Sequence, residues 1–418
     1  MPNIQPLRGL RPLPELAAKI AAPPYDVLDA AEARRITAAN PESFLRVTKA
    51  EVDCPAEIDC HATQVYDQAR TTLTQFIAKG YLVQDRQPCL YIYRQKMGDH
   101  QQVGLVAAVA VDDYEHNIIK RHELTRSEKE QDRVNHITAT GAQTGPAFLI
   151  FRDNGAVGKL LADGMRRPPA YDFVSPDGVE QTLYVIDDPA EVAAFTNAFA
   201  RLPAAYIADG HHRTAAAARV REHCRENNPA HDGSEAYNRF LAVLFPHTMV
   251  KVMAYNRVVQ DLAGLSPAAF LAAVAEKFIV EAWPTAYEPV TPHTFGLYLA
   301  GRWHKLTAKP ELIAADPVAC LDVSILQDAL LAPVLGIGDP RIDPRIDFVG
   351  GIRGLAELGR LVDGGQYAAA FALYPTTVEE IMTIADSGRI MPPKSTWFEP
   401  KLKDAMVINL IAGRERDR

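Results

Sequence analysis

Tyr206-Ile207-Ala208-Asp209-Gly210-His211-His212-Arg213-Thr214 is the stretch on which the reading of this chain turns. Upstream, Leu202 to Ile207 is short and mostly apolar, the pattern of a buried strand. Downstream, Ala215 to Arg225 is rich in alanine and arginine and predicts a helix. Gly210 stands at the corner. A strand, a glycine and a helix start make an anion-binding arrangement, because the first turn of a helix has unpaired N–H groups and a partial positive charge. Arg213 is suited to gripping a phosphate with its planar fork. His211 and His212 project about 100° apart, so one can face a ligand while the other packs. A plain folding reading also exists. In it Asp209 caps the helix and pairs with Arg213, and the histidines are polar neighbours. Against that reading, folding would be served as well by Ser or Asp followed by Ala, Leu and Glu.

The 418 residues allow a large core and two or three domains. Hydrophobic residues make up 48% and charged residues 23%, as in ordinary globular proteins. With 44 basic and 52 acidic residues the formal charge is −8, which argues against nucleic acid or anionic membrane as a main partner. No stretch approaches the roughly 18 uninterrupted apolar residues of a membrane span. Met1 to Pro14 has no signal-peptide core. The five cysteines are scattered and suggest reduced thiols and a cytoplasmic location.

Outward from the central turn, the pattern divides the chain into residues 1–85, a helical opening segment, 86–283, a central α+β domain carrying the turn, and 284–418, a C-terminal α+β domain. Asp29 is placed to cap a helix from Ala30 to Ala39, and a second helix runs from His61 to Lys79. Pro23-Pro24 rules out a helix there and holds Tyr25 and Asp26 on a stiff extended entry, either as site residues or as a plain turn. Leu90–Lys96 and Val103–Val111 predict a hairpin, and Pro176-Asp177-Gly178 predicts the turn of another. Between them lie His122 and Glu123, acid/base candidates that a surface ion-pair cluster would equally explain, and a helix from Glu128 to Ala139. Later, Pro267 opens a helix behind Ser266, and Ala300-Gly301 turns a further hairpin. Pro392 and Pro393 hold the last motif extended. Lys394, Ser395 and Thr396 there are donors that could close over an anion, or the segment is a tail packing Trp397 and Phe398. The alternation of hairpins, strands and helices predicts an α+β fold with mixed sheets, not one doubly wound parallel sheet.

Several segments resemble a bacterial and archaeal family known as domain of unknown function 1015. They are Ala22 to Val27, Asn40 to Leu45, Arg121 to Thr125, Ala208 to Arg213 and Met391 to Phe398. More distantly, Gly210 to Arg213 is similar to the phosphate-binding turn of the ParB and sulfiredoxin superfamily, which includes a free-serine kinase. That second resemblance implies a ParB/sulfiredoxin-like core with large insertions and a catalytic glutamate early in the chain, which no motif here places.

The leading functional expectation is a nucleotide-dependent kinase or phosphotransferase acting on a small metabolite such as serine. ATP or ADP would sit on Gly210, His211, His212, Arg213 and Thr214, with Lys394, Ser395 and Thr396 closing over it. Mg²⁺, where present, would be held mainly by the nucleotide rather than by side chains. Phosphoryl transfer needs positioning and charge stabilisation more than a covalent player. A carboxylate would take the hydroxyl proton, with Glu123, Asp26 and Asp209 as candidates and His122 as a further acid/base group. There is no Walker-type loop. Two other classes stay open: a metal-dependent phosphatase or hydrolase built on His122, Glu123, Asp209, His211 and His212, and a non-catalytic nucleotide sensor. Metal content separates the first of these from the kinase; the absence of a helix-turn-helix argues against a DNA-reading sensor.

Overall fold

The structure is a computed structural model that describes residues 1–411. The chain forms two compact units. The first is Met1–Val250 together with residues 400–411, and the second is Lys251–Glu399. This partition differs from the one read along the sequence. Residues 1–85 share a core with the chain's end: Phe44, Leu73, Phe76 and Leu82 pack with Ala142, Ala405 and Ile408. A pattern that is local in sequence does not show such a return.

The first unit is built on nine strands: β1 (Ile4–Gln5), β2 (Leu90–Met97), β3 (His100–Ala110), β4 (Ile119–Lys120), β5 (Ala147–Phe151), β6 (Tyr171–Val174), β7 (Glu180–Ile186), β8 (Ala205–Asp209) and β9 (Arg239–Pro246). Their order is β4-β8-β5-β9-β3-β2-β7-β6, with β1 beside β3. The β4–β8 and β5–β9 pairs are parallel and the rest antiparallel, so the sheet is mixed as the sequence pattern predicts. Its helices include α1 (Ala30–Ala39), α2 (Thr63–Ala78), α3 (Ser127–Thr140), α4 (Ala156–Gly164), α5 (Pro189–Phe199) and α6 (His211–Glu226). Asp29 does cap α1, its side chain accepting from the Glu32 N–H at 2.7 Å. β5 is apolar throughout and fully buried, which is how a central strand reads. Phe195 and Phe199 of α5 and Val157 and Leu161 of α4 cover the sheet. Each such side chain contributes roughly 1.5–3 kcal/mol of burial.

α6 and α3 pack on one another through Ala216, Val220 and Ile137. The run Ala215-Ala216-Ala217 is buried, and small side chains let the helix lie close to its neighbours. The arginines between them face outward or meet acids. Arg221, for example, is paired with Asp112 and Glu115.

The second unit carries a six-stranded antiparallel sheet. Its elements include β10 (Tyr255–Val259), α7 (Pro267–Lys277), β11 (Phe278–Trp283), β12 (Thr294–Leu299), β13 (Arg302–Ala308), β14 (Ile346–Gly350), α8 (Gly354–Asp363), β15 (Ala369–Leu373) and α9 (Val378–Asp386). The strand order is β11-β13-β12-β15-β10-β14. Thr377 and Glu380 form a full capping box on α9.

Candidate functional site

The central turn folds as the sequence predicts. β8 is buried between β4 and β5, and its pairing with β5 slips between Ile207 and Asp209. Such an irregularity re-aims a side chain. Gly210 then takes φ +92°, and a Cβ there would lie 3.3 Å from the Ala147 Cα of β5. Both the backbone conformation and the close approach require glycine.

The pairing of Asp209 with Arg213 that a plain folding reading offers does not form. Gly210, not Asp209, is the N-cap, and no side chain caps the helix. Asp209 Oδ1 accepts from the Gly210 N–H at 2.8 Å, and its Oδ2 accepts from Lys401 Nζ at 3.0 Å. Burial pushes this carboxyl up. The charges of Lys401 and Arg213 and the two hydrogen bonds outweigh burial and hold it well below the usual carboxylate range. Asp209 is therefore a fixed anion at neutral pH and a poor proton acceptor.

Arg213 reaches the other way and donates to the Pro146 carbonyl. It lines a pocket that also includes Tyr25, Arg133, His136, Gly145 and Asp404. All of these belong to the first unit. Arg133, on α3, is 8% exposed, pairs with Asp132 at 2.7 Å, and stacks its guanidinium 3.7 Å over the Tyr25 ring. The double proline thus delivers Tyr25 to an arginine. Burial raises the Tyr25 hydroxyl to about 12 against the pull of Arg133, so it stays protonated as a donor. Asp26 is exposed next to it, and its charge is felt by Arg213 and Asp404.

Asp404 was not among the candidates legible in sequence. Two backbone hydrogen bonds pin its segment: Asp404 N–H to the Ala22 carbonyl at 2.8 Å, and Ala405 N–H to the Thr144 carbonyl at 3.2 Å. Gly145 makes room for the carboxyl, since a Cβ there would stand 2.3 Å from Asp404 Oδ1. The side chain is 2% exposed. Burial raises the carboxyl to about 7. Asp26 adds to this, and Arg213, Arg133 and Lys403 oppose it. A carboxyl that titrates near neutrality inside a pocket holding two guanidiniums has the profile of an acid/base group.

The remaining predicted residues fall in three places. Thr214 is buried, and its hydroxyl donates to the Gly210 carbonyl at 3.2 Å, inside its own helix. His212 is half-buried and its Nε2 accepts from the Arg126 N–H at 3.0 Å. His211 is buried edge-on against His122, with ring centroids 4.6 Å apart and planes at 90°. Burial lowers His122 to about 4 and takes His211 well below its ordinary value, so both rings are neutral at pH 7. Neither nitrogen of His122, nor Nε2 of His211, has a hydrogen-bond partner. A buried donor left so costs roughly 1–3 kcal/mol. Glu123 is half-buried beside them. Lys394, Ser395 and Thr396 lie in the second unit. There the Lys394 carbonyl accepts from Arg257 at 3.0 Å, Lys394 Nζ lies over the Tyr255 ring, and Ser395 Oγ donates to the Pro392 carbonyl at 2.6 Å. All five cysteines are free. No helix among the described residues is long and apolar enough to cross a membrane.

With this geometry in view, the family model described as "Protein of unknown function (DUF1015)" matches residues 4–324. The chain belongs to the DUF1015 family. No curated protein matches it. Among solved structures, it is similar to a free serine kinase in complex with AMP, at 14% identity, covering 72% of this chain and 92% of that one with a TM-score of 0.36. It is also similar to a conserved hypothetical protein from Pyrococcus furiosus, at 15% identity, 73% and 95% coverage and a TM-score of 0.36. A third is SbnI with C-terminal truncation from Staphylococcus aureus, at 10% identity, 73% and 87% coverage and a TM-score of 0.39.

Proposed function

We propose that this protein is a phosphate-handling enzyme, a nucleotide-dependent phosphotransferase acting on the hydroxyl of a small metabolite. One observation carries the reading. Arg213 from the first turn of α6 and Arg133 from α3 line the same pocket as a carboxyl, Asp404, that titrates near pH 7. Two guanidiniums suit the charge-assisted, forked binding of phosphoryl oxygens. Their cost of burial makes two of them in one pocket hard to explain by packing alone. The resemblance of Gly210 to Arg213 to a phosphate-binding turn points the same way.

In this reading Arg213 and Arg133 hold the phosphoryl group being transferred, and the Tyr25 hydroxyl helps orient it. Asp404, in its ionised form, takes the proton of the substrate hydroxyl as the oxygen bonds to phosphorus. The bond from phosphorus to the nucleotide oxygen breaks, and the nucleotide leaves with those electrons. Asp404 replaces Glu123 and Asp209 as the preferred base: Asp209 is held too acidic, and Glu123 stands with the histidine pair.

A thermal-shift screen of AMP, ADP, ATP, inorganic phosphate and phosphorylated hydroxy metabolites tests this. A site ligand at a hundred times its dissociation constant adds about 2.7 kcal/mol. At least one nucleotide should stabilise the protein, and its effect should vanish when Arg213 and Arg133 are both replaced by alanine. If no phosphate-bearing compound shifts the melt, or if the double variant responds like the parent, the reading fails.

A further inference from the structure

A second constellation stands beside the pocket and is not used by the proposed reaction. β4 and β8 run parallel, with Ile119 opposite Ala205 and Lys120 opposite Tyr206. Both chains therefore leave the sheet at the same edge. One continues directly to His122 and Glu123, and the other bends at Gly210 into His211. One ligand atom from each of His122, Glu123 and His211 lies within 4.8 Å of the others.

We propose that His122, Glu123 and His211 form a binding site for a divalent transition-metal ion, with Zn²⁺ the ion it suits best. Two imidazoles and a carboxylate are a borderline-soft donor set. They favour Zn²⁺ and its first-row neighbours over Mg²⁺, which prefers oxygen alone. Around an ion bound at 2.0–2.1 Å, tetrahedral donors stand roughly 3.4 Å apart, so the three groups close onto it by side-chain rotations of about 1 Å. Three protein donors leave a position for water or substrate.

The second observation is the state of the histidines. His122 is 1% and His211 7% exposed. The Ile207 backbone is the one group placed near the His122 ring to bond it, and Nε2 of His211 has no hydrogen-bond partner among the described residues. A packing role would be filled by phenylalanine without orphaned nitrogens. A metal accepts the lone pairs, and the Ile207 backbone next to His122 is placed to receive the N–H of a metal-bound ring. His212, the neighbouring histidine, is not part of the set, because its Nε2 is already taken by the Arg126 N–H.

The test is equilibrium dialysis of the chelator-stripped full chain against Zn²⁺, with metal counted by mass spectrometry and a Co²⁺ visible spectrum read in parallel. The site binds one Zn²⁺ per chain. His122→Ala and His211→Ala weaken that binding at least a hundredfold, Glu123→Gln at least tenfold, and His212→Ala leaves it unchanged. Co²⁺ gives the intense visible bands of a low-coordinate nitrogen-ligated ion. Circular dichroism checks each fold; where an alanine variant unfolds, Glu123→Gln at its half-exposed position carries the comparison against His212→Ala. Failure of the parent protein to bind Zn²⁺, or equal binding by Glu123→Gln and the parent, overturns the proposal. Neither result decides the arginine pocket's ligand binding, which is measured separately; bound Zn²⁺ together with no nucleotide binding there would favour the metal-dependent hydrolase over the phosphotransferase.

Discussion

Replacing Asp404 by asparagine tests the pocket's electrostatics while keeping its shape. The folded carboxyl holds its proton to about 7, whereas an unfolded one releases it near 3.8. Between those values the folded state binds more protons than the unfolded state. Stability attributable to Asp404 is thus fully present below about pH 4 and is lost as pH rises towards 7. At 1.36 kcal/mol per pH unit, the gap between 3.8 and about 7 sets a ceiling of about 4 kcal/mol. Asparagine cannot ionise, so Asp404→Asn should match the parent near pH 4, be about 1–2 kcal/mol more stable near pH 5, and be up to about 4 kcal/mol more stable near pH 8. Urea melts of both proteins across that range give the difference directly. The same variant should lose phosphotransfer, since the proton acceptor is gone, and still bind nucleotide. A stability difference that stays constant from pH 5 to 8 would refute the assignment of a near-neutral carboxyl to this pocket.

Two further predictions concern the central turn. Gly210→Ala should cost about 1–3 kcal/mol, because the left-handed backbone at φ +92° and the 3.3 Å approach to the Ala147 backbone both resist a Cβ; a urea melt checks it. Lys401→Met should cost about 1–3 kcal/mol at neutral pH by stranding Asp209, a value below that of a fully buried pair because the two side chains remain 17% and 29% exposed. Since the Asp209 carboxyl is depressed when folded, that loss is present above about pH 4 and shrinks as pH falls further, which acid titration of the two proteins would show.

The features that local chemistry dictates were legible in the sequence. The cap at Asp29, the turn at Pro176 to Gly178, the strand–glycine–helix corner at Gly210 and the mixed α+β character all follow from spacing and turn residues. Features that depend on distant pairing were not. Asp404 meets Arg213 and Arg133 only because the chain from Pro400 returns to the first unit, and nothing in Lys401 to Met406 announces it. That return is held by buried glutamines, with Gln95 Nε2 donating to the Lys401 carbonyl at 2.9 Å and Gln102 Nε2 to the Pro400 carbonyl at 3.2 Å. The dense polarity of the His211-His212-Arg213 run is visible in the sequence. It could not show that the three side chains diverge, the first to His122, the second to Arg126 and the third to the pocket.

The most direct measurement is calorimetric titration of ADP and ATP into the parent protein and Arg213→Ala, beside a denaturant melt of each. Loss of a charge-assisted forked contact costs about 1.5–3 kcal/mol, or roughly ten- to a hundredfold in affinity. The account predicts one saturable nucleotide site per chain in the parent, affinity at least tenfold weaker in Arg213→Ala, partial recovery in Arg213→Lys, and nearly unchanged melting midpoints. Unchanged affinity in Arg213→Ala with a lowered midpoint would contradict it, and would make Arg213 a structural residue that only anchors the Pro146 carbonyl.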